Sequence, residues 1–425
     1  MKITEVRIKG FRNIRDTAIK LNDEVSVLIG DNGHGKSNFI DAVEFAVNFI
    51  LADRNMKKCM LAETAIIPYH KKIKKDSFFV DLMMQGMIED KAFDINYGFE
   101  LLWPKANAAG RITREWLNVR EGSKSKKYTK LIDRDGKAVY KSSRTGRCST
   151  EMKTPDDELV LNRLMYAEDL FYADLVDALN HLSITVIRPE DMLTFEYISP
   201  AGFDTAGDWK LESVYDLPQF MYLLKVNNPN LFSYILSGMQ TQFEDIKGID
   251  AHCTDLSDIY GFSSDKIEIG SCYLTVQKEN YSQPLDYKNL SKGELYSLYL
   301  MARYALAELR GDALIAIDEP ENSIHPKQYS AHAQTIAPIT MDDRSVLIAS
   351  HSPFLVQYFD SEDYYIGNPH SGGIADFTRI DRRKIGKLKK DARRYGETPG
   401  VYVYDLLSGD DDEIQKLVDY LELPE

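Results

Sequence analysis

The stretch Gly30-Asp-Asn-Gly-His-Gly-Lys36-Ser37 combines closely spaced glycines with a lysine and a hydroxyl, and it fits GxxxxGK[ST] at every position. Glycines let backbone N–H groups curl around phosphates, and the N-terminus of a following helix adds its dipole. Lys36 would place its charge on the β- and γ-phosphate oxygens, and the Ser37 hydroxyl would ligate Mg²⁺. The stretch therefore predicts a site for ATP and Mg²⁺. The residues expected to bind the nucleotide are Gly30, Asn32, Gly33, Gly35, Lys36, Ser37 and Asn38.

The flanking sequence supplies the elements that must position this loop. Alternating apolar and charged residues over 5–9 predict a first strand, and a second is expected around 17–21. Residues 25–29 are nearly all apolar, which is typical of a central strand buried on both faces. FIDAVEFAVNFIL, which follows the loop, predicts a helix. The order strand, glycine loop, helix favours a phosphate site over a glycine turn with a chance lysine.

Two carboxylates follow a second apolar stretch. The strand predicted over 313–317 ends in Asp318-Glu319-Pro320. A carboxylate at such a strand end can hold the magnesium shell, and the next one can activate water for attack on the γ-phosphate. Asp318 is therefore a candidate metal ligand and Glu319 a candidate catalytic residue. The alternative is an acidic turn between a strand and a loop.

Two further segments could contact phosphate. In Asn289-Leu-Ser-Lys-Gly-Glu294, Ser291 and Gly293 precede a predicted helix and could form a second anion-binding cap, or an ordinary helix cap. The strand predicted over 345–350 ends at His351, whose imidazole could contact the γ-phosphate. A lone histidine is more often structural, but its place at the end of a core strand favours a functional role.

The totals set limits on the kind of protein. The 425 residues, 44% hydrophobic and 28% charged, suffice for two or three domains or for one large core with insertions. The net charge of −14 means that any polyanion must meet a local basic patch. Long apolar runs and a signal peptide are missing, so a cytoplasmic protein without membrane contact is expected. Free thiols are expected at the scattered cysteines, Cys59, Cys148, Cys253 and Cys272.

The order of these motifs resembles the ABC-type ATPase heads of the RecF, SMC and OLD families. MKITEVRIKGFRNI and LIGDNGHGKSNFIDAV look like a RecF opening, and LSKGE resembles the ABC signature. IAIDEPENSIHP is similar to the Walker B and D-loop of OLD-type ATPases, and ASHSPFLV to their switch-histidine strand. SITVIRPEDM resembles a RecF segment at the Q-loop position, although it lacks the glutamine. The resemblance covers roughly residues 1–50, 183–195 and 265–360.

The resemblance implies roles for individual residues. Arg12 and Asn13 would lie beside the phosphate loop against the nucleotide, and Glu319 would be the catalytic base. Such heads bind two ATP molecules between two subunits, which implies a homo-oligomer of at least two copies. The residues implied to act across that interface are Ser291, Gly293, His325 and His351.

The predicted fold class is α/β, an ABC-type ATPase head whose sheet is split by a long β-rich and helical insertion. The expected segments are the N-terminal half of the ATPase core (1–51), an inserted β-rich and helical lobe (52–182), a Q-loop-like strand with a helical lobe (183–264), the C-terminal half of the core (265–365) and a small, mostly helical tail (366–425).

The leading functional hypothesis is an ATP-dependent sensor or switch in bacterial anti-phage defence. Too few residues follow Tyr365 for a Toprim nuclease domain, so the resemblance to stand-alone OLD-like ATPases implies a separate effector, such as a Toprim or HNH nuclease or a toxin. One alternative is a RecF-type repair ATPase acting on DNA ends or gaps. Another is an ATP-gated protein scaffold that binds no nucleic acid. ENSIHP and the β-rich insertion argue against a membrane transporter's nucleotide-binding subunit.

Two basic segments could meet nucleic acid. Thirteen Lys or Arg residues stand against four acidic residues over 105–147, where strands with basic turns could follow DNA phosphates. The alternative is a solvated hairpin lobe. A second run, 379–394, predicts a basic helix that faces nucleic acid or a partner protein.

Overall fold

The protein is described from a computed structural model that covers the whole chain except residues 24, 63–68, 74–75, 89–90, 106–107, 123–126, 168, 189–216, 255–270, 323, 337–343 and 423–425. The chain divides into two compact units. Unit 1 comprises Met1–Val186, Gly311–Asp318 and Thr340–Glu425, and unit 2 comprises Ile187–Arg310 and Glu319–Ile339. The division into five segments expected from the sequence stays a prediction.

The strands form three sheets. An eight-stranded sheet has the order β2-β1-β4-β5-β6-β7-β8-β9, a six-stranded sheet β10-β14-β15-β3-β16-β17, and a three-stranded sheet β11-β12-β13. The strands are β1 (Lys2–Phe11), β2 (Ile14–Lys20), β3 (Val25–Ile29), β4 (Ser77–Ile88), β5 (Lys91–Leu102), β6 (Arg111–Glu121), β7 (Thr129–Asp135), β8 (Lys137–Tyr140), β9 (Thr150–Glu151), β10 (Ile184–Ile187), β11 (Ile246–Thr254), β12 (Ser271–Lys278), β13 (Leu285–Asp286), β14 (Leu314–Asp318), β15 (Ser345–Ser350), β16 (Tyr364–Gly367) and β17 (Phe377–Arg379).

The helices lie mainly in the second half of the chain. They are α1 (Lys36–Leu51), α2 (Arg54–Ala62), α3 (Val160–Leu164), α4 (Ala173–Asn180), α5 (Leu217–Asn227), α6 (Pro229–Gln242), α7 (Lys292–Arg310), α8 (Tyr329–Ile336), α9 (Pro353–Val356), α10 (Ile385–Tyr395), α11 (Pro399–Leu407) and α12 (Asp411–Val418). Among the described helices, none combines the length and the apolar character needed to cross a bilayer. The mixed α/β class expected from the sequence is confirmed.

The six-stranded sheet positions the candidate site. Every residue of β3, β14 and β15 is buried, as their apolar sequences predict. These three strands are parallel, with Asp318 opposite Ala349 and Ser350 opposite Ile29. Their carboxyl ends therefore meet at one edge, which is where open α/β sheets bind ligands.

The eight-stranded sheet is antiparallel, and α1 packs on the core of the same unit. Strand β4 pairs directly with β1, so the first strand of the predicted insertion extends the N-terminal sheet. Apolar residues at helical spacing along α1, among them Phe39, Val43 and Val47, are buried in this core. The helix that begins at the phosphate loop is thus held by packing along its length.

Unit 2 combines the three-stranded sheet with α5 to α8. The apolar spacing of the sequence predicts a helical block over roughly 217–243, and the structure divides it between α5 and α6. Asn228 ends the first helix and caps the second, since its side chain accepts a hydrogen bond from the N–H of Leu231 at 3.2 Å. Pro229 then occupies the first turn of α6, where its missing N–H has no cost.

The expectation that all four cysteines are free thiols is wrong for two of them. Cys253 and Cys272 lie directly opposite each other on β11 and β12, with Cα atoms 4.1 Å apart, and form a disulfide. Cys59 and Cys148 are free. The pair was missed because the register of two antiparallel strands, and not a short sequence spacing, brings the residues together.

Candidate nucleotide site

The phosphate loop joins the buried end of β3 to the N-terminus of α1. Gly33 and Gly35 both adopt left-handed backbone conformations, with φ of 78° and 98°. Gly35 is the N-cap of α1, and a glycine offers no side chain to the first N–H groups of the helix. The first turn also carries no acidic residue. The chain therefore leaves helix N–H donors at a place that suits an anionic phosphate group.

The Lys36 ammonium lies inside this loop. Lys36 is 5% exposed, and its Nζ donates hydrogen bonds to the carbonyl oxygens of Gly30 (2.7 Å) and Asp31 (3.1 Å). These bonds hold the positive charge at the centre of the glycine loop and help to keep the loop curled. The geometry fits the role predicted for Lys36, because its charge lies within the glycine loop that would surround the phosphates.

Arg12, Asn13 and Asn38 form a hydrogen-bonded group beside the loop. The Asn38 amide donates to Asn13 Oδ1 (2.8 Å), and Arg12 Nη1 donates to Asn38 Oδ1 (2.8 Å). The Asn13 amide also donates to the Gly33 carbonyl at 3.4 Å. Arg12 has a left-handed φ of 47° and forms a salt bridge with Asp41 on α1. The structure thus brings these three predicted residues together, and Asp41 is a partner that sequence reasoning missed.

Gly35 is packed more tightly than Gly33. A Cβ at position 35 would lie 2.6 Å from Asn13 Oδ1 and 2.7 Å from the Ala375 Cβ, whereas a Cβ at position 33 would meet nothing within 4 Å. The left-handed backbone disfavours a side chain at both positions. A difference in stability between alanine variants at the two positions therefore measures the effect of the packing around position 35.

We expect Gly35→Ala to destabilise the protein more than Gly33→Ala. The left-handed conformation costs roughly 1–2 kcal/mol at either position, and the overlap at position 35 adds roughly 1–3 kcal/mol. Thermal unfolding of the two variants and titration with ATP measure the effect, with the larger losses expected for Gly35→Ala. Equal losses in both variants would show that the contact with Asn13 and Ala375 does not constrain the loop.

His34, the variable position of the loop, has a structural role that the sequence left unexplained. Its ring packs edge-on against Phe377 of β17, with centroids 5.6 Å apart, and a Cβ at Gly367 would lie 2.4 Å from His34 Cδ2. Burial lowers the pKa of this imidazole, which favours a neutral ring. His34 therefore packs the phosphate loop against β16 and β17.

Asp318 and His351 stand at the same sheet edge as the loop. Asp318 is the last residue of β14 and is 7% exposed. His351 follows Ser350, which pairs with Ile29, the residue before the loop. Neighbouring strands lie about 4.8 Å apart, so topology places a carboxylate and an imidazole within two strands of the loop. The Ser350 carbonyl accepts a hydrogen bond from the Tyr404 hydroxyl at 2.9 Å, which holds this strand end to α11.

Glu319 has an unusual backbone. Its φ of 48° is left-handed, which is rare for a residue with a long side chain. Asn322 donates to the Glu319 carboxylate (Nδ2 to Oε2, 2.7 Å), and its N–H donates to the Glu319 carbonyl at 3.0 Å. A strained conformation held by such contacts is typical of functional positions. Asn322 is thus a second residue that sequence reasoning missed.

Ser291 caps α7 through a reciprocal pair of hydrogen bonds. The N–H of Glu294 donates to Ser291 Oγ (3.3 Å), and the N–H of Ser291 donates to Glu294 Oε2 (2.8 Å). Ser291 is exposed, and a hydroxyl that accepts one hydrogen bond can still donate its own proton. Gly293 lies in the first turn of the same helix. Ser291 can therefore cap α7 and at the same time donate a hydrogen bond to a phosphate group.

His325 is exposed and caps a short turn, where its Nδ1 accepts from the N–H of Lys327 at 3.2 Å. The predicted Q-loop-like residues Pro189, Glu190 and Asp191 lie outside the described residues.

Five of the thirteen basic residues in the segment 105–147 are paired with acids. Salt bridges join Lys105 to Asp76 (3.3 Å), Arg120 to Asp94, Lys130 to Asp133 (2.7 Å), Arg134 to Asp156 (3.2 Å) and Lys137 to Glu151 (2.9 Å). Four of these five acids lie outside the segment, so a local count of charges could not include them. The free positive charge that this lobe offers to DNA is therefore smaller than the sequence suggests.

Comparison with known families assigns both halves of the chain. Residues 1–160 match the AAA ATPase domain family, and residues 198–357 match an AAA domain family whose description also names the AbiEii toxin and a type IV TA system. The chain is an ABC-type ATPase of the RecF/SMC type. The ATP-hydrolysing class of this protein, predicted from its motifs, is confirmed.

Individual relatives of this ATPase match over short stretches. The DNA replication and repair protein RecF of Halothermothrix orenii is 44% identical over 43 residues, which is 10% of this chain and 12% of RecF. The chromosome partition protein Smc of Methanococcus voltae is 27% identical over 95 residues, which is 22% of this chain and 8% of Smc. The chain thus spans about a tenth of the length of the curated relatives it matches.

Among solved structures, the Smc head domain with an extended coiled coil, bound to the C-terminal domain of ScpA and derived from Pyrococcus furiosus, has the same fold. The TM-score is 0.50 at 12% identity, and the match covers 92% of this chain and 99% of that one.

Proposed function

We propose that this ATPase is a switch in which ATP joins two copies of the chain and hydrolysis releases them. The observation that carries the proposal is the pair of helix N-termini suited to anions: the phosphate loop at α1, and the exposed cap at α7 with Ser291 and Gly293. Each ATP would be held by the loop of one copy and by the α7 cap of the other. His325 would lie near the γ-phosphate across the same interface.

Different residues of the chain have different roles in hydrolysis. Lys36 and the N–H groups of α1 neutralise and orient the phosphates, while Ser37 and Asp318 would hold Mg²⁺, which neutralises charge on the phosphate oxygens when bound. Glu319 orients a water molecule and accepts its proton as the water oxygen bonds to the γ-phosphorus and the bond to the bridging oxygen breaks. Asn322 keeps the Glu319 carboxylate in place, and His351 contacts the γ-phosphate.

We expect ATP to convert the protein from monomer to dimer, and Ser291→Asp to prevent this. Aspartate caps a helix about as well as serine, so α7 is retained, but its charge repels the γ-phosphate of the other copy. Sedimentation of both proteins with a non-hydrolysable ATP analogue and with ADP measures the change. A wild-type mass that is the same with both nucleotides would refute ATP-driven assembly, and dimerisation of Ser291→Asp would remove α7 from the interface.

For the biological role, we propose anti-phage defence with a separate effector, a nuclease or a toxin. The family match over residues 198–357 supports this, since its description names a toxin of a type IV TA system. The alternative is DNA repair on DNA ends or gaps, supported by the identity to RecF over 43 residues. A neighbouring gene for a Toprim or HNH nuclease or a toxin that co-purifies with this ATPase would favour defence. Replication-initiation genes beside it would favour repair.

A further inference from the structure

Helix α10 carries basic residues on the side that lies away from the core. Its residues Ile385, Leu388 and Ala392 are buried, and they follow each other at helical spacing. On the opposite side of the helix Lys387, Lys390 and Arg393 are exposed. These three cations, named here the α10 stripe, recur every three residues and so share one side of the helix.

The stripe differs from three neighbouring cations, which have acid partners. Arg383 binds Asp381 at 2.8 Å, Lys389 binds Asp360 at 3.1 Å and Arg394 binds Asp391 at 3.1 Å. Within the described part of the chain, Lys387, Lys390 and Arg393 form no salt bridge, and the Lys387 ammonium lies 5.4 Å from the centre of the Tyr420 ring. The positive charge of the stripe is therefore available to a partner from outside.

The lobe 105–147 contains cations of both kinds, since Arg111, Arg114, Arg144 and Arg147 are exposed and form no salt bridge among the described residues. There Lys105, Lys130 and Lys137 are also exposed, but each has a carboxylate within 3.3 Å. A chain with a net charge of −14 repels polyanions over most of its surface, so an unpaired cationic stripe is where one can approach. Cations in the last turn of a helix stabilise its dipole, which explains basic residues in the last turn of α10. It does not explain Lys387 and Lys390, because both precede that turn.

The dimensions of the stripe match a nucleic-acid strand. Lys387 and Arg393 are six residues apart, which is roughly 9 Å along a helix axis. This is long enough to reach three successive phosphates, which span two rises of about 3.4 Å each along the axis of a strand. At the end of α10, Tyr395 is 66% exposed, and one face of its ring stacks on Tyr402 with centroids 5.5 Å apart. Its other face is open to a base, a contact that single-stranded nucleic acids make with aromatic side chains.

We propose that α10 is a nucleic-acid contact, in which Lys387, Lys390 and Arg393 bind successive phosphates. The proposal goes beyond the ATP-driven switch and places a nucleic-acid contact in the C-terminal part of the chain. It requires neither ATP turnover nor an effector.

The test is the salt dependence of DNA binding. Fluorescence anisotropy with labelled single-stranded and double-stranded oligonucleotides at 50 and 200 mM salt compares the wild type with Lys387→Ala/Lys390→Ala/Arg393→Ala. Three phosphate contacts on duplex DNA account for roughly a 40-fold loss of affinity between these salt concentrations, and the slope falls by about one for each contact removed. The triple variant should therefore bind more weakly and lose most of this salt dependence.

The matched control is Lys105→Ala/Lys130→Ala/Lys137→Ala, which removes the same charge from cations that already have acid partners. Its affinity and salt slope should stay close to those of the wild type. Equal losses in both triple variants, a larger loss in the control, or a wild type that binds polyglutamate but not DNA would each overturn the proposal. ATP hydrolysis by the α10 variant should be unchanged, so failure of the nucleic-acid contact is distinguished from failure of the ATPase function.

Discussion

Lys36→Ala is expected to abolish ATP binding. The variant removes the ammonium that lies in the centre of the phosphate loop, hydrogen-bonded to the Gly30 and Asp31 carbonyls. Loss of one partner of a buried charge pair costs about 2–5 kcal/mol, or roughly a thirty-fold or greater loss of affinity. Isothermal titration calorimetry with ATP measures it. ATP affinity retained by the variant would remove the assignment of this loop.

Lys57→Ala provides the control for the general effect of losing a buried lysine. Lys57 lies in α2 and is 1% exposed. Its Nζ donates hydrogen bonds to the carbonyls of Ile50 and Ala52 at the C-terminal end of α1, the helix that begins at Lys36. Burial lowers the pKa of Lys57 to about 8. This variant should lower the melting temperature but leave ATP affinity near the wild-type value. If both variants lose ATP binding in proportion to their stability, the effect of Lys36 is structural.

Glu319→Gln is expected to keep ATP binding and to stop turnover. Glutamine has the same shape and can still accept the hydrogen bond that Asn322 donates, so the loop after β14 should be preserved. It cannot accept a proton from water, and loss of general-base catalysis lowers kcat by roughly 10²–10⁴-fold. The ATP-bound dimer should then persist, which a steady-state phosphate-release assay and sedimentation with ATP detect together.

Glu321→Gln is the neighbouring control for this experiment. Glu321 is a buried carboxylate in the same loop, two residues further on, and it has no role in the proposed mechanism. Hydrolysis by Glu321→Gln should remain within a few-fold of the wild type. Normal hydrolysis by Glu319→Gln would mean that another residue positions the attacking water.

Local features were predictable because short-range rules decide them. The strand Val25–Ile29 has the expected bounds, since an apolar run between a turn and a glycine loop has few alternatives. The helix after the loop ends at Leu51 as expected but begins three residues earlier, at Lys36. The stretch Asp133-Arg-Asp-Gly136 predicts a hairpin turn in the same way, and the turn lies between β7 and β8, where glycine adopts its φ of 77° without strain.

Contacts between distant segments were not predictable from one sequence. The disulfide of Cys253 and Cys272 depends on strand register, and the packing of His34 against Phe377 joins positions more than 300 residues apart. Nor does the sequence show that Asp41 binds Arg12 or that Asn322 holds Glu319, because side-chain direction decides both contacts.

The sequence by itself determined that this protein is an ATPase, because the phosphate loop is a continuous stretch in which each residue type has a local task. The tertiary structure decided which charges are free. Whether a lysine has a carboxylate within reach depends on strand pairing and helix orientation, and these lie beyond any window of sequence. For this reason Lys105, Lys130 and Lys137 of the lobe 105–147 are paired with acids, whereas Lys387, Lys390 and Arg393 of α10 face outward without acid partners among the described residues.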